Sequence, residues 1–287
     1  MQSRSVAVPR TDVLVSTLAV VSVALLTALA AQISITLPGT PVPQTLQTMA
    51  VLGGSAYLGS RRGLAAMLPE ALRDTALRLL LPLRHAAWGA NQNHTLICAY
   101  GYGAVFTQPC MYQAMDQLGI AQHLSRFGLL LGDVEALAEG KRAWLEDATW
   151  QPLRRLVEDT MVVRDPCELF VAQNLAIDGL LYPLVYARLV DDILSAQGPS
   201  AVAMLTQFMS DWFDETRKWV DAVLKTMAAE SEANRQQLRS WTLHWTARAA
   251  EALTPVVAIV LGDRAGEMVD EQMNQLRTRI AKTGIAP

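Results

Sequence analysis

Hydrophobic and polar positions divide this chain near residue 68. Val13 to Ile35 is an uncharged run dominated by Val, Leu and Ala. At about 1.5 Å rise per residue, such a helix reaches across a hydrocarbon core of ~30 Å. Pro38, Pro41 and Pro43 then break any helix, and Gly39 permits a turn. A second apolar run, Leu46 to Leu58, closes at Arg61-Arg62. The pattern predicts a transmembrane helical hairpin over residues 13–60, in a first domain of residues 1–67.

From residue 69 the period changes to that of amphipathic helices. Leu72, Leu79, Leu80 and Leu83 fall near helical spacing, with Arg73, Arg78 and Arg84 between them. His85 to Met115 lacks Asp, Glu, Lys and Arg but carries Asn91, Gln92, Asn93, His94, Gln108 and Gln113. Those polar groups do not suit a lipid-facing helix, so one or two buried helices are expected. Asp165-Pro166 reads as an N-cap followed by a first-turn proline. The helix it opens runs to about Ala196 with a kink at Pro183. Further helices carry Phe208, Trp212 and Trp219, then Leu238, Trp241 and Trp245, and residues 263–287 read as a charged surface helix. No alternating β pattern of useful length occurs, so the second domain, residues 69–287, is expected to be all-α.

Charge sharpens the division. Residues 1–68 hold four arginines and one aspartate, net +3, whereas the remainder holds 20 basic and 26 acidic residues, net −6. Forty-eight consecutive residues between Asp12 and Arg61 carry no charge and no histidine. Arg4 and Arg10 before the hairpin and Arg61 and Arg62 after it place both its ends in the cytoplasm. A cleaved signal peptide is the rival, but its apolar core runs only ~7–15 residues. Across all 287 residues 51% are hydrophobic and 18% charged. Disorder and a disulfide scaffold are excluded, and a net charge of −3 gives no electrostatic case for nucleic acid. Cys98, Cys110 and Cys167 cannot all pair and form no CxxC, which suits a reducing compartment.

Catalytic patterns are thin. A ferritin-like di-iron site needs Glu from two helices and Glu-x-x-His from two others. The four histidines, His85, His94, His123 and His244, are preceded at three residues by Pro82, Asn91, Ile120 and Trp241. No catalytic or metal residue is therefore assigned. Cys167 at a helix start is read as structural. The acid pairs Glu158-Asp159, Asp191-Asp192 and Asp214-Glu215 point to diverging helix faces and read as solvated. Trp212 and Trp219, Trp241 and Trp245, and Tyr182 and Tyr186 each share a helix face. These six are either core or the anchors of a subunit interface.

Two resemblances follow from longer stretches. Ala31-Gln-Ile-Ser-Ile-Thr-Leu-Pro-Gly-Thr-Pro-Val-Pro-Gln-Thr-Leu-Gln-Thr48, with Gly59-Ser-Arg-Arg-Gly63, resembles the start of BioY, the S component of biotin uptake transporters. That resemblance implies a first helix whose small residues, here Ala24 and Ala28, meet a transmembrane coupling subunit. It ends where Glu70, Arg73 and Asp74 replace a third span, and the spans that build the biotin pocket are absent.

The second resemblance is carried by Leu81-Pro-Leu-Arg-His-Ala-Ala-Trp-Gly-Ala-Asn91, Ala114-Met-Asp-Gln-Leu-Gly-Ile-Ala-Gln-His-Leu-Ser-Arg126, Trp150-Gln-Pro-Leu-Arg-Arg-Leu-Val-Glu-Asp-Thr160 and Asn174-Leu-Ala-Ile-Asp-Gly-Leu-Leu-Tyr-Pro-Leu-Val-Tyr186. In this order they resemble the β (small) subunit of the hydroxylase of soluble di-iron multicomponent monooxygenases, in the phenol hydroxylase and propane monooxygenase branch. The resemblance implies a ferritin-like, ribonucleotide-reductase-like bundle that binds no cofactor itself. Its partner would be an α subunit holding the di-iron, on which a reductase and a regulatory protein act. It implies a cytoplasmic domain, membrane-anchored where the hairpin is expressed. The family's N-terminal third is missing, its place taken by the hairpin. Two further readings stand beside this one: a partial biotin-uptake component, and a junction joining two unrelated genes.

Overall fold

The computed structural model describes residues 10–32, 34–35, 44–45, 69–197 and 201–285. Its contacts separate two compact units, Met1–Arg73 and Asp74–Pro287. In the first, α1 (Arg10–Ala31) is a single apolar helix. Ser22 and Thr27 return their hydroxyls to the carbonyls of Leu18 and Val23 at 2.8 Å, so neither side chain needs an outside partner. Ala24 is half-buried and Ala28 exposed, one turn apart. The second arm of the expected hairpin, residues 46–58, lies outside the described residues. Within the same unit, β1 (Ser34–Ile35) pairs antiparallel with β2 (Gln44–Thr45) over two residues each, and residues 69–285 are all-helical where described, as expected.

The remaining elements are helices: α2 (Glu70–Leu80), α3 (Leu83–Tyr100), α4 (Ala104–Glu146), α5 (Gln151–Thr160), α6 (Pro166–Leu194), α7 (Ala201–Glu230), α8 (Glu232–Leu261) and α9 (Ala265–Ala281). The core is built around α6, in which nearly every residue from Leu169 to Tyr186 is buried. Helix α6 alone among the described helices is long and apolar enough to cross a membrane, and 94% of its apolar window is buried inside the protein. Its hydrophobicity is that of a core helix enclosed on all sides. The start is local and legible: Asp165 Oδ1 accepts the Cys167 and Glu168 amides at 2.8 and 3.3 Å. Asp165→Ala is expected to cost about 1 kcal/mol in denaturant unfolding, with unchanged helicity.

The expected kink at Pro183 takes another form. Val171–Ile177 and Tyr182–Leu194 are π-helical, with five-residue hydrogen bonds such as Asp178 N–H to Gln173 O. Pro183 lacks an amide hydrogen, and the wider turn relieves its clash with the preceding carbonyl without bending the helix away from the core.

Helix α4 also departs from one straight rod. Gly132 and Asp133 leave helical geometry, Asp133 at φ 61° and ψ −163°. The chain turns there, and Leu81 seats between Gly128 and Gly140. A Cβ on Gly140 would stand 2.7 Å from Leu81 Cβ, so only glycine permits that approach. Asp133 occupies a backbone region that only glycine enters without strain. Asp133→Gly is expected to raise stability by about 1 kcal/mol, measured by chemical denaturation.

Candidate functional site

The structure separates the six aromatic interface candidates. Tyr182, Tyr186, Trp212 and Trp245 are buried within this chain's own packing, while Trp219 and Trp241 are partly exposed. Tyr182 is the hub of one cluster, with Trp212 at 4.9 Å, Tyr186 at 5.3 Å and Phe213 stacked at 5.6 Å. Trp212 Nε1 donates to Asp116 at 3.1 Å, tying α7 to α4. Trp245 Nε1 donates to Glu168 at 3.1 Å, with the Arg248 guanidinium 5.1 Å from the ring. Trp219 meets Phe170 edge-on at 5.2 Å, and its indole nitrogen is buried without a partner.

Inside the bundle lies a buried polar network that the sequence reading did not single out as a site. Asn93 on α3 donates to Thr160 at 2.7 Å and to Gln173 at 2.8 Å. Gln173 in turn donates to Asp178 at 2.9 Å. His94 reaches Asn174 at 3.0 Å, and Gln117 on α4 donates to the Tyr182 hydroxyl at 2.9 Å. Burial lowers the His94 pKa, opposed by the hydrogen bond its ring makes to the Asn174 oxygen. Burial also lifts Asp178 to about 7, opposed by Gln173 and by the charge of Arg279. The sequence signal for this network was present but weak: amides in the charge-free stretch from residue 85, and Gln173, Asn174 and Asp178 within an apolar helix.

These donors do not fit a pair of irons. The network supplies amides, hydroxyls, one histidine and one carboxylate, where a di-iron site takes several carboxylates and two histidines. Among the described residues no three His, Cys, Asp or Glu side chains gather. The other histidines lie apart: His85 stacks on Trp144 at 5.9 Å, His123 meets the Leu205 carbonyl at 2.5 Å, and His244 lies beside Trp245. Burial, with Arg84 and Lys141 nearby, drives His85 down to about 4. The Cys110 thiol is pushed up to about 12 by burial, and Cys167 is raised by burial and then by Asp165, so neither is an activated nucleophile. A cavity of about 220 Å³ between α6, α7 and α9 holds Arg217 and Arg279, both already matched by Asp214 and Asp221 at 3.1 and 2.8 Å.

One expectation about α3 and α4 is corrected. The charge-free stretch from His85 to Met115 buries only one face of each helix. Short linkage through residues 101–103 and the bond from Asn91 to the Ala114 carbonyl, 2.7 Å, make α3 and the first part of α4 an antiparallel pair. Its outer side shows Trp88, Tyr100, Tyr102, Val105, Met111, Tyr112, Met115 and Leu118 to solvent. Sequence alone could not separate this from burial, because a core face and an exposed apolar face have the same composition.

Comparison with known proteins places this architecture. The BioY family matches residues 3–69. The family described as methane/phenol/alkene hydroxylase matches residues 54–231, overlapping the first match at residues 54–69. The phenol 2-monooxygenase oxygenase component DmpL of Pseudomonas sp. strain CF600 is 49% identical over 227 residues, covering 78% of this chain and 67% of that protein. The propane 2-monooxygenase hydroxylase component small subunit of Mycolicibacterium goodii is 26% identical over 152 residues, 50% of this chain and 41% of the relative. A crystal structure of phenol hydroxylase from Pseudomonas sp. OX1 superposes with a TM-score of 0.73 at 40% identity, covering 82% of this chain and 74% of that one. This chain belongs to the methane/phenol/alkene hydroxylase family.

Proposed function

We propose that this chain is a non-catalytic structural subunit in the hydroxylase of a multicomponent monooxygenase. Its partner is an iron-bearing α subunit that hydroxylates a small aromatic or hydrocarbon substrate, with a reductase and a regulatory protein acting on the pair. The observation that carries this reading is the bundle centre, where amides and hydroxyls with a single histidine and a single carboxylate fall short of the several carboxylates and two histidines that irons require. A buried, hydrogen-bonded polar network of this kind fixes helix register without reacting. The relatives are oxygenase and hydroxylase components, one of them named a small subunit, which supports a two-subunit assembly. On this reading residues 69–287 form the hydroxylase-like domain and residues 1–67 a separate one.

The test is co-expression with the α subunit of the strain CF600 phenol 2-monooxygenase. The chain alone is expected to hold no stoichiometric iron by elemental analysis and to oxidise no phenol. With α it is expected to co-purify as a complex. Stoichiometric iron in the isolated chain overturns the reading.

The match of residues 3–69 to BioY supports a second element: a membrane hairpin through residues 13–60, with Ala24 and Ala28 as its helix-contact positions. Full-length chain is then expected to remain in the pellet on carbonate extraction of membranes. Release to the supernatant counts against the hairpin. A sequence read across residues 67–69 from one DNA molecule tests whether the two parts are a single gene.

A further inference from the structure

We propose that the outer face of the α3–α4 pair is the surface on which the α subunit docks, an inference that rests on the function proposed above. The face comprises Trp88, Tyr100, Tyr102, Val105, Tyr112 and Met115, each between 51% and 87% exposed. Aromatic side chains carry ~150–250 Å² each, so at these exposures the four aromatics present on the order of 500 Å², and Val105 and Met115 extend the patch. The largest such patch on an ordinary monomer is ~300–600 Å², whereas one side of a stable interface needs about 800 Å².

Charge says what kind of partner fits. Between Arg84 and Arg126 the only acidic or basic residue other than histidine is Asp116, and Trp212 already takes its carboxylate. Arg84 and Arg126 stand at the Trp88 end of the face, so its length from Tyr100 to Met115 offers no cation to anionic lipid headgroups, which membrane-lying helices attract with Lys and Arg. Tyrosine, tryptophan and methionine without charge are instead the composition of the centre of a protein interface. The occupant is therefore a neutral, apolar helical surface on the larger subunit, and the three tyrosine hydroxyls supply polar contacts there.

A further helix flanks the pair. His123 meets the Leu205 carbonyl and Trp212 meets Asp116, so α7 runs antiparallel beside α4. Phe208, between those two tie points, is itself exposed.

The experiment compares wild-type full-length chain with Tyr102→Glu, Val105→Glu and Tyr112→Glu. Two controls, Val162→Glu and Leu243→Glu, alter exposed apolar residues elsewhere. Affinity for the strain CF600 α subunit is read by titration, and folding by circular dichroism and melting temperature. The face variants are expected to bind at least tenfold more weakly, with melting unchanged and the controls binding as wild type. Equal binding by face variants and controls overturns this surface and leaves the proposed function standing. No binding by wild type overturns both.

Three further readouts exclude other occupants. Tyr102 and Tyr112 are expected to be nitrated by tetranitromethane in the isolated chain and protected in the complex. Protection in the isolated chain would show that the chain's own residues cover the face. Self-association by sedimentation that the face variants abolish would make a second copy the occupant. Face variants that still pair but leave the membrane fraction would make it lipid. Each of these overturns the proposal. As a check independent of variant folding, a photo-crosslinking phenylalanine analogue at position 112 is expected to capture α.

Discussion

Trp245→Ala is expected to cost about 3–5 kcal/mol of folding free energy, lowering the thermal midpoint by roughly 10 °C. Trp245 is buried, donates its indole hydrogen to Glu168 and sits beneath Arg248, which also pairs with Asp159. Truncation therefore removes a large apolar body, leaves Glu168 without that donor, and loosens the link from α8 to α5 and α6. Trp241, one turn earlier and partly exposed, is expected to cost ~1 kcal/mol or less when truncated. Urea unfolding of both variants checks the difference. Equal losses would show that the two indoles contribute alike to the core.

The second large effect concerns charge. Asp178 is 3% exposed, and burial lifts its pKa from an ordinary 3.8 to about 7. The folded state thus holds the proton more tightly than the unfolded state. Such a group penalises folding once pH rises above the unfolded value near 4, and the penalty grows until about pH 7, then levels. At ~1.4 kcal/mol per tenfold difference in proton affinity, the full penalty is roughly 4 kcal/mol.

Asp178→Asn keeps an acceptor for the Gln173 amide while removing the charge. One carboxylate oxygen of Asp178 has no partner, so the new amide nitrogen placed there returns part of the gain. The variant is expected to be more stable than wild type by about 2–4 kcal/mol above pH 7, with little difference near pH 4. Denaturant midpoints across pH 4 to 8 check this. Parallel curves for the two proteins would show that Asp178 is not held protonated by its burial.

Sequence by itself determined what depends on neighbours in the chain. The start of α6 was legible because an aspartate cap and a first-turn proline act within three residues. The helical period from residue 69, the absence of Glu-x-x-His and the order of the hydroxylase-like motifs are likewise properties of the string. Tertiary structure alone decided which apolar residues meet each other and which meet water. Trp212 and Trp219 share a helix face, yet a hydroxyphenyl hub forms around Tyr182 and encloses only Trp212. Asn93, Thr160 and Gln173 are 67 and 80 residues apart along the chain and become one network only when three helices converge. The same limit applies to His85–Met115. Burial inside a chain and burial against a second chain reward the same side chains, because both remove apolar area from water. Only the packed structure shows that α3 and α4 turn an apolar face outward.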